Sequence, residues 1–437
     1  MADQEPRIAS ISNINLRAAT LALVCVVMFA ATIMAAPAAQ AQTFTVIHSF
    51  SGPEGANPQA GLTLDGAGNL YGTSAYGGNT GGECQTFGCG TVFKLTHAGS
   101  GWVLSTLHKF NGGDGLVPIS RVVFGPHGAL YGTANCCSGG TVFSLRPPAS
   151  VCRSTSCLWT EAVLFRFGFG AGSLPTGDIT FDAAGNIYGT TLSGGDYSHC
   201  GGLGCGTVYQ LTLSGGVWTE NILHSFTDGA DGEYPNSGVV LDQVGNLYGT
   251  APQDGSGQAT GLVFKFVPSG SGWTQSIVYH FQNGADGNHP WGGLIFDEAG
   301  NLYGTTTYGG SGNGGTVFQL SPSGGAWNFN LLEGLPGHVH PDGSEAKLVR
   351  DNAGNLYGTT VKNGAYGYGN VFELTPSGGA WTYTSLHDFT RGSDGAYPYG
   401  GLALDSNGNL YGTAFGGGNT GAECSTNYCG VVYEITP

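Results

Sequence analysis

One loop gathers the side chains best suited to hold a metal. In Leu335-Pro-Gly-His-Val-His-Pro-Asp-Gly-Ser-Glu345, two histidines and two carboxylates fall close together. In an extended stretch His338 and His340 point the same way, so with Asp342 they offer two imidazoles and a carboxylate to a transition metal. The competing explanation is plain divergence of a repeated loop. Three other loops are acidic: Asp228-Gly-Ala-Asp-Gly-Glu-Tyr-Pro235, Asn283-Gly-Ala-Asp-Gly-Asn-His-Pro290 and Gly392-Ser-Asp-Gly-Ala-Tyr-Pro398. Their Asp231, Asp286 and Asp394 are candidates for a cation such as calcium, or for hydrogen bonds to ligand hydroxyls. Asp-Gly ahead of Pro is also ordinary turn chemistry, and the alternating acids of a full calcium loop are absent. Aromatic side chains lie near the same loops: Tyr76, Tyr234, Trp291, Tyr308, Tyr366, Tyr368, Tyr397 and Tyr399. Such rings stack on sugars, with Asn and Asp bonding the hydroxyls, or else fill space between packed units. No Ser-His-Asp arrangement, phosphate loop or nucleotide fingerprint is assignable, and no catalytic residue is named. Paired carboxylates for glycoside cleavage remain open, since sequence spacing does not report which loops meet in space.

The elements that must position these side chains form a tandem repeat. Its centre is Asp-x-x-Gly-Asn-Leu-Tyr-Gly-Thr, marked by Tyr71, Tyr131, Tyr188, Tyr248, Tyr303, Tyr357 and Tyr411. Six copies begin with Asp (Asp65, Asp182, Asp242, Asp297, Asp351, Asp405), and Gly125 stands there in the second. Asp accepting from turn amides, followed by a Gly that takes positive φ, describes a tight β-hairpin. A Gly-rich loop leads to Gly-x-Val-Phe or Gly-x-Val-Tyr, a third strand. A Pro-Ser-Gly-Gly type turn then precedes a fourth strand opening on Trp102, Trp159, Trp218, Trp273, Trp327 or Trp381. The tyrosines lie 60, 57, 60, 55, 54 and 54 residues apart, which suits four short strands and their turns. The chain therefore reads as all-β, a seven-bladed β-propeller of four-stranded antiparallel blades. Small and apolar residues such as Gly292-Gly-Leu-Ile-Phe296 mark inner strands, and mixed ones such as Trp218-Thr-Glu-Asn-Ile-Leu223 the outer edge.

Thr43-Phe-Thr-Val-Ile-His-Ser-Phe50 matches a fourth strand with no blade before it, and the chain stops at Pro437 after a third strand. The N-terminal strand is thus expected to complete the last blade and close the ring. Strand alternation puts the fourth-to-first and second-to-third loops on one face, where a ligand site is expected. His48, His108, His224 and His387 share one slot of the outer strand, which argues for packing.

Residues 1–41 carry Arg7 and Arg17 before an apolar run and end in Ala39-Gln-Ala41, the pattern of a secretory signal. The run is also long enough to serve as an uncleaved anchor. Residues 42–437 make a single propeller domain. Ten cysteines follow the signal. Cys84 and Cys89, Cys152 and Cys157, Cys200 and Cys205, and Cys424 and Cys429 form Cys-x4-Cys pairs, while Cys136 and Cys137 are adjacent. Local disulfides in an oxidising compartment are expected, with tetrahedral zinc as the alternative. The net charge is −16 with only 13 Lys and Arg; this argues against nucleic acid and, beyond the signal segment, against membrane surfaces.

Gly-Asn-Leu-Tyr-Gly-Thr, then Gly-Thr-Val-Phe, then Leu-His-x-Phe, at a period near 55, resembles the GloVer tandem repeat of exported bacterial proteins. The resemblance spans residues 43 to 437 and implies an exported repeat protein with no established activity; the family's surface-sorting tail has no counterpart before Pro437. Together these features predict an extracellular or periplasmic, monomeric recognition or adhesion module. It would bind a polysaccharide or surface protein through its loop face, with no cofactor unless calcium or a transition metal occupies the sites above. The alternatives are an extracellular lyase, glycosidase or lactonase, and a structural envelope protein.

Overall fold

The computed structural model describes residues 42–437 except 85–86, 100, 136–138, 149–158, 169, 256–259, 271, 338–342, 423 and 425–427. Among the described residues lie seven four-stranded antiparallel sheets, three short 3-10 turns and no α-helix. Each sheet is one blade, numbered here in chain order. In blade 1 the strands are Thr63–Leu64, Leu70–Ser74, Thr91–Ala98 and Gly101–Lys109, paired in sequence order from the axis outward. The outer strand of blade 7 comes from the other end of the domain: Thr43–Ser49 lies beside Val431–Thr436 in one sheet, closing the ring as expected. Phe44 stacks on His387 and Tyr433, at centroid distances of 3.6 and 5.5 Å, and the Phe50 amide donates to the Gly430 carbonyl.

The hairpin motif owes its repetition to one carboxylate. In blade 1, Asp65 Oδ1 accepts from the Ala67 and Asn69 amides, while Oδ2 accepts from Asn69 Nδ2 at 2.7 Å and the Tyr71 hydroxyl at 3.1 Å. The Asn and Tyr contacts recur at Asp182, Asp242, Asp297, Asp351 and Asp405. Burial by itself would raise the Asp65, Asp182 and Asp297 carboxyls, but these hydrogen bonds outweigh it and hold them below the usual range. Gly68, at φ 81°, closes the turn. Blade 2 has Gly125, followed by a 3-10 turn at Pro126–Gly128.

Between blades the contacts are just as regular. The motif tyrosine meets the Trp that opens the next blade's outer strand, as in Tyr71 with Trp159 and Tyr188 with Trp273. The motif threonine donates to a carbonyl of the next blade's innermost segment: Thr73 to Ser120, Thr250 to Gly292, Thr359 to Gly400 and, across the closure, Thr413 to Ala60. This shortens the expected inner strand. The ladder covers Ile295–Phe296 alone rather than all of 292–296, because the carbonyl upstream bonds to the neighbouring blade.

A second latch joins the incoming loops of all blades but the sixth, whose loop lies partly outside the described residues, each to the blade before it. The residue preceding the loop proline donates its amide to that blade's second-to-third loop: Asn57 to Cys429, Val117 to Cys89, Leu174 to Gly139, Tyr234 to Cys205, His289 to Thr260 and Tyr397 to Tyr368. All six take left-handed φ between 49° and 57°, an uncommon state for non-glycine residues. The proline then covers the Gly of Gly-x-Val-Phe. A Cβ on Gly206, at φ 95°, would stand 2.4 Å from the Thr191 carbonyl and 2.8 Å from Pro235 Cδ. The tight repeat spacing thus follows from contacts between blades.

Candidate ligand site at the central channel

The six described incoming loops other than that of blade 6 each bridge the second-to-third loop of their own blade, through pairs such as Ala56 with Tyr76, Asn288 with Tyr308 and Ala396 with Gly416. These loops therefore share one face. Disulfides link Cys84 to Cys89, Cys200 to Cys205 and Cys424 to Cys429 there. Cys136, Cys137, Cys152 and Cys157 lie outside the described residues, as do His338, His340 and Asp342.

The acidic candidates have internal partners. Asp231 accepts from Thr227 Oγ1 at 2.7 Å and lies 3.0 Å from His224 Nε2. Asp394 accepts from the Thr390 amide and lies 3.2 Å from His387 Nε2; Asp286 accepts from the Tyr279 hydroxyl at 3.0 Å and the Gln282 amide. His108 Nε2 lies 2.9 Å from Asp114 Oδ2 in the same way, and His48 Nε2 faces Glu54 Oε1 at a longer 3.7 Å. The four histidines of the shared slot thus face, from four of the seven outer strands, a carboxylate of the loop that follows. Burial opposes ionisation of Glu54, yet the His48 and Ser51 contacts prevail and bring it down to about 2.

The aromatic candidates separate into two groups. Tyr76 packs on Phe87, Tyr308 on His289, and Tyr397 on Tyr368. Tyr234 and Tyr397 also carry latch amides. Trp291 and Tyr399, by contrast, line the same central cavity of about 570 Å³, with Tyr399 also edge-on to Phe415 at 5.7 Å. Both stand twelve residues before their repeat tyrosine, and that position in the other blades holds Gln59, Ile119, Thr176, Asn236 and Glu345, all lining the cavity. The channel mouth is therefore a ring of two aromatics among mostly polar side chains.

Two residues further along, the inner segments present Gly61, Arg121, Asp178, Gly238, Gly293, Lys347 and Gly401. Glycine is required where neighbouring segments nearly touch: a Cβ on Gly238 would stand 2.1 Å from the Asp178 carbonyl, and one on Gly61 2.7 Å from the Gly401 carbonyl. Blades 2, 3 and 6 instead carry charge. Arg121 Nε lies 3.2 Å from Asp178 Oδ2, and the Arg121 amide donates to Asp178 Oδ1 at 3.0 Å. The Lys347 stem runs beside Gly293, with Cδ 3.5 Å from where a Cβ there would sit. The channel wall encloses this side chain while leaving it in contact with channel solvent. Burial lowers its ammonium to about 8, with Arg121 adding to the shift and Asp178 opposing it. Sequence reading missed this tier. Its signal was a position holding glycine in four blades and a charge in three.

The Gloeobacter/Verrucomicrobia repeat matches residues 31–200, 138–333 and 244–437 in three overlapping spans. The chain belongs to this family. Among curated proteins, no relative matches it. Solved structures similar to this repeat protein include PorZ, an essential bacterial surface component of the type-IX secretion system of Porphyromonas gingivalis. The identity is 15% and the TM-score 0.48, over 89% of this chain and 48% of PorZ, so the chain spans about half the length of PorZ. A PQQ-bound aldose sugar dehydrogenase from Streptomyces coelicolor matches at 13% identity and TM-score 0.44, over 92% of this chain and 99% of its own. A putative 6-phosphogluconolactonase from Bacteroides uniformis matches at 13% identity and TM-score 0.47, over 77% and 86% respectively. Likeness at this level extends to the fold alone.

Proposed function

We propose that this repeat protein is an exported recognition module that takes a saccharide at the mouth of its central channel. The observation that carries the reading is the placement of Trp291 and Tyr399 on one ring with Gln59, Thr176 and Asn236. Aromatic faces stack on the C–H face of a sugar, and amides and hydroxyls beside them bond its hydroxyls. A cavity of about 570 Å³ falls within the range of small-ligand sites. All six described cysteines are paired, which supports residence in an oxidising compartment outside the cytoplasm. The long loops of the same face supply a surface on which a polysaccharide chain, or the surface that carries it, rests.

Co-sedimentation of the purified protein with a panel of insoluble polysaccharides and cell-wall preparations tests this reading, with the supernatant assayed for released sugar. Binding without release is expected. Trp291→Ala and Tyr399→Ala should each weaken it about tenfold, in line with the loss of a stacked ring. Equal binding by both variants and the parent protein would remove the channel mouth as the site. Sugar release would replace the module with an enzyme.

A further inference from the structure

Resting on that reading, we infer that the saccharide is acidic, and that its carboxylate descends past the mouth to lie between Arg121 and Lys347.

Position supplies the first argument. Residues two apart on an extended segment face the same side and lie about 7 Å apart. Ile119 and Arg121, Thr176 and Asp178, Glu345 and Lys347 are such pairs, and all six line the cavity. The charged tier therefore lies directly below the mouth, by roughly the width of one hexose ring. A ring held at Trp291 and Tyr399 places a ring substituent at the level of Arg121 and Lys347.

Charge supplies the second. Arg121, Lys347 and Arg350 line the cavity against Asp178 and Glu345, which leaves one positive charge in surplus in a chain whose net charge is −16. That surplus matches a monoanion such as a uronate carboxylate. A dianion would also have to face Asp178. Arg121 commits its Nε edge and backbone amide to Asp178. Lys347 Nζ has no hydrogen-bond partner or ion pair among the described residues, and the same holds for the Arg121 Nη atoms. A guanidinium edge and an ammonium opening on one cavity are the donors a carboxylate takes in short, charge-assisted hydrogen bonds.

The repeat supplies the third. At this tier Gly293 leaves the groove along which the Lys347 stem lies. Blades whose other contacts are interchangeable differ here, so packing within the repeat does not explain the charges.

The test is titration calorimetry of the full-length protein with tri-galacturonate and with its fully methyl-esterified, neutral form. The parent should prefer the acid by about tenfold or more, the effect of one charge-assisted contact. That preference should shrink with added salt. Lys347→Gln and Arg121→Gln should each lose most of the preference while keeping the affinity for the neutral ester, with unchanged circular dichroism as the control for folding. Lys347→Arg should retain it. Equal affinity for acid and ester in the parent overturns the inference and leaves the saccharide reading standing. A preference for acid that survives the Lys347→Gln, Arg121→Gln double variant also overturns it. Binding of neither form, alongside failure to sediment with any polysaccharide, overturns the parent reading and this inference with it.

Discussion

The latches between blades and the tier of the channel just below its mouth are both built on glycine at one repeat position, yet they behave in opposite ways. At the latch, the Gly of Gly-x-Val-Phe keeps positive φ and close backbone neighbours around the ring, as at Gly90, Gly140, Gly206, Gly261, Gly369 and Gly430. In the channel, the equivalent position is Gly in four blades and Arg121, Asp178 or Lys347 in the other three. A latch must satisfy the same two backbones in every blade. Along the channel wall the demand varies from blade to blade: a Cβ on Gly61, Gly238 or Gly401 would meet a neighbouring carbonyl within 2.7 Å, whereas one on Gly293 would meet nothing closer than 3.5 Å. Uniform positions report how the ring holds together, and the divergent tier reports what distinguishes this ring.

The strongest way to break the latched ring is to open it. Deleting residues 43–50 removes the outer strand of blade 7 and the fully buried Phe50. The melting temperature should fall by roughly 10 °C or more. An unchanged transition would show that the closure contributes nothing.

Next in size, Gly206→Ala and Gly293→Ala apply one substitution to the two regions. At Gly206 the left-handed φ and the 2.4 Å approach to a carbonyl should cost about 1–3 kcal/mol in denaturant unfolding. At Gly293 the nearest atoms are 3.5 Å away and φ is ordinary, so the cost should stay within about 0.5 kcal/mol. Equal costs would erase the distinction.

Smaller again, Tyr188→Phe takes one donor from Asp182 and should cost about 1 kcal/mol. The same change at Tyr131, whose hairpin has Gly125 in place of Asp, should cost less.

The most delicate predictions concern pH. Lys347 titrates near 8 when folded and near 10.5 otherwise. Between these values the unfolded chain holds the proton more tightly, so stability should rise with pH over that window, and Lys347→Met should flatten the rise. Affinity for an acidic saccharide should run the other way and fall above about pH 8, with Arg121 and Asp178 the charged neighbours that share the tier. Glu220, raised to about 7 by burial, binds its proton more tightly in the fold. Stability should therefore decline from about pH 4.5 to 7, and Glu220→Gln should remove that slope.

Much of this was legible in the chain. Asp, Gly, Asn and Tyr within seven residues specify a hairpin through contacts made inside the hairpin itself, and the Thr43–Ser49 strand declared itself by matching the outer strands of other blades. The site was legible only in part. Trp291 and Tyr399 stood among eight aromatic candidates that sequence could not rank, since depth along the channel depends on which blade converges where. Asp231, Asp286 and Asp394 stood out as acids in loops, while their His and Tyr partners lie on the preceding outer strand, in contacts that only the curl of the blade creates. Arg121, Asp178 and Lys347 went unremarked because no local pattern surrounds them.

By itself, then, the sequence determined the blade, the number of blades and the strand that closes them, because hairpin turns and alternation act over a few residues and the repeat copies them around the ring. The tertiary structure alone decided that Arg121, Asp178 and Lys347, drawn from three separate blades, would share one solvent-filled channel. Only the closing of the ring brings their segments to a common axis, and no short-range interaction in the chain encodes that meeting.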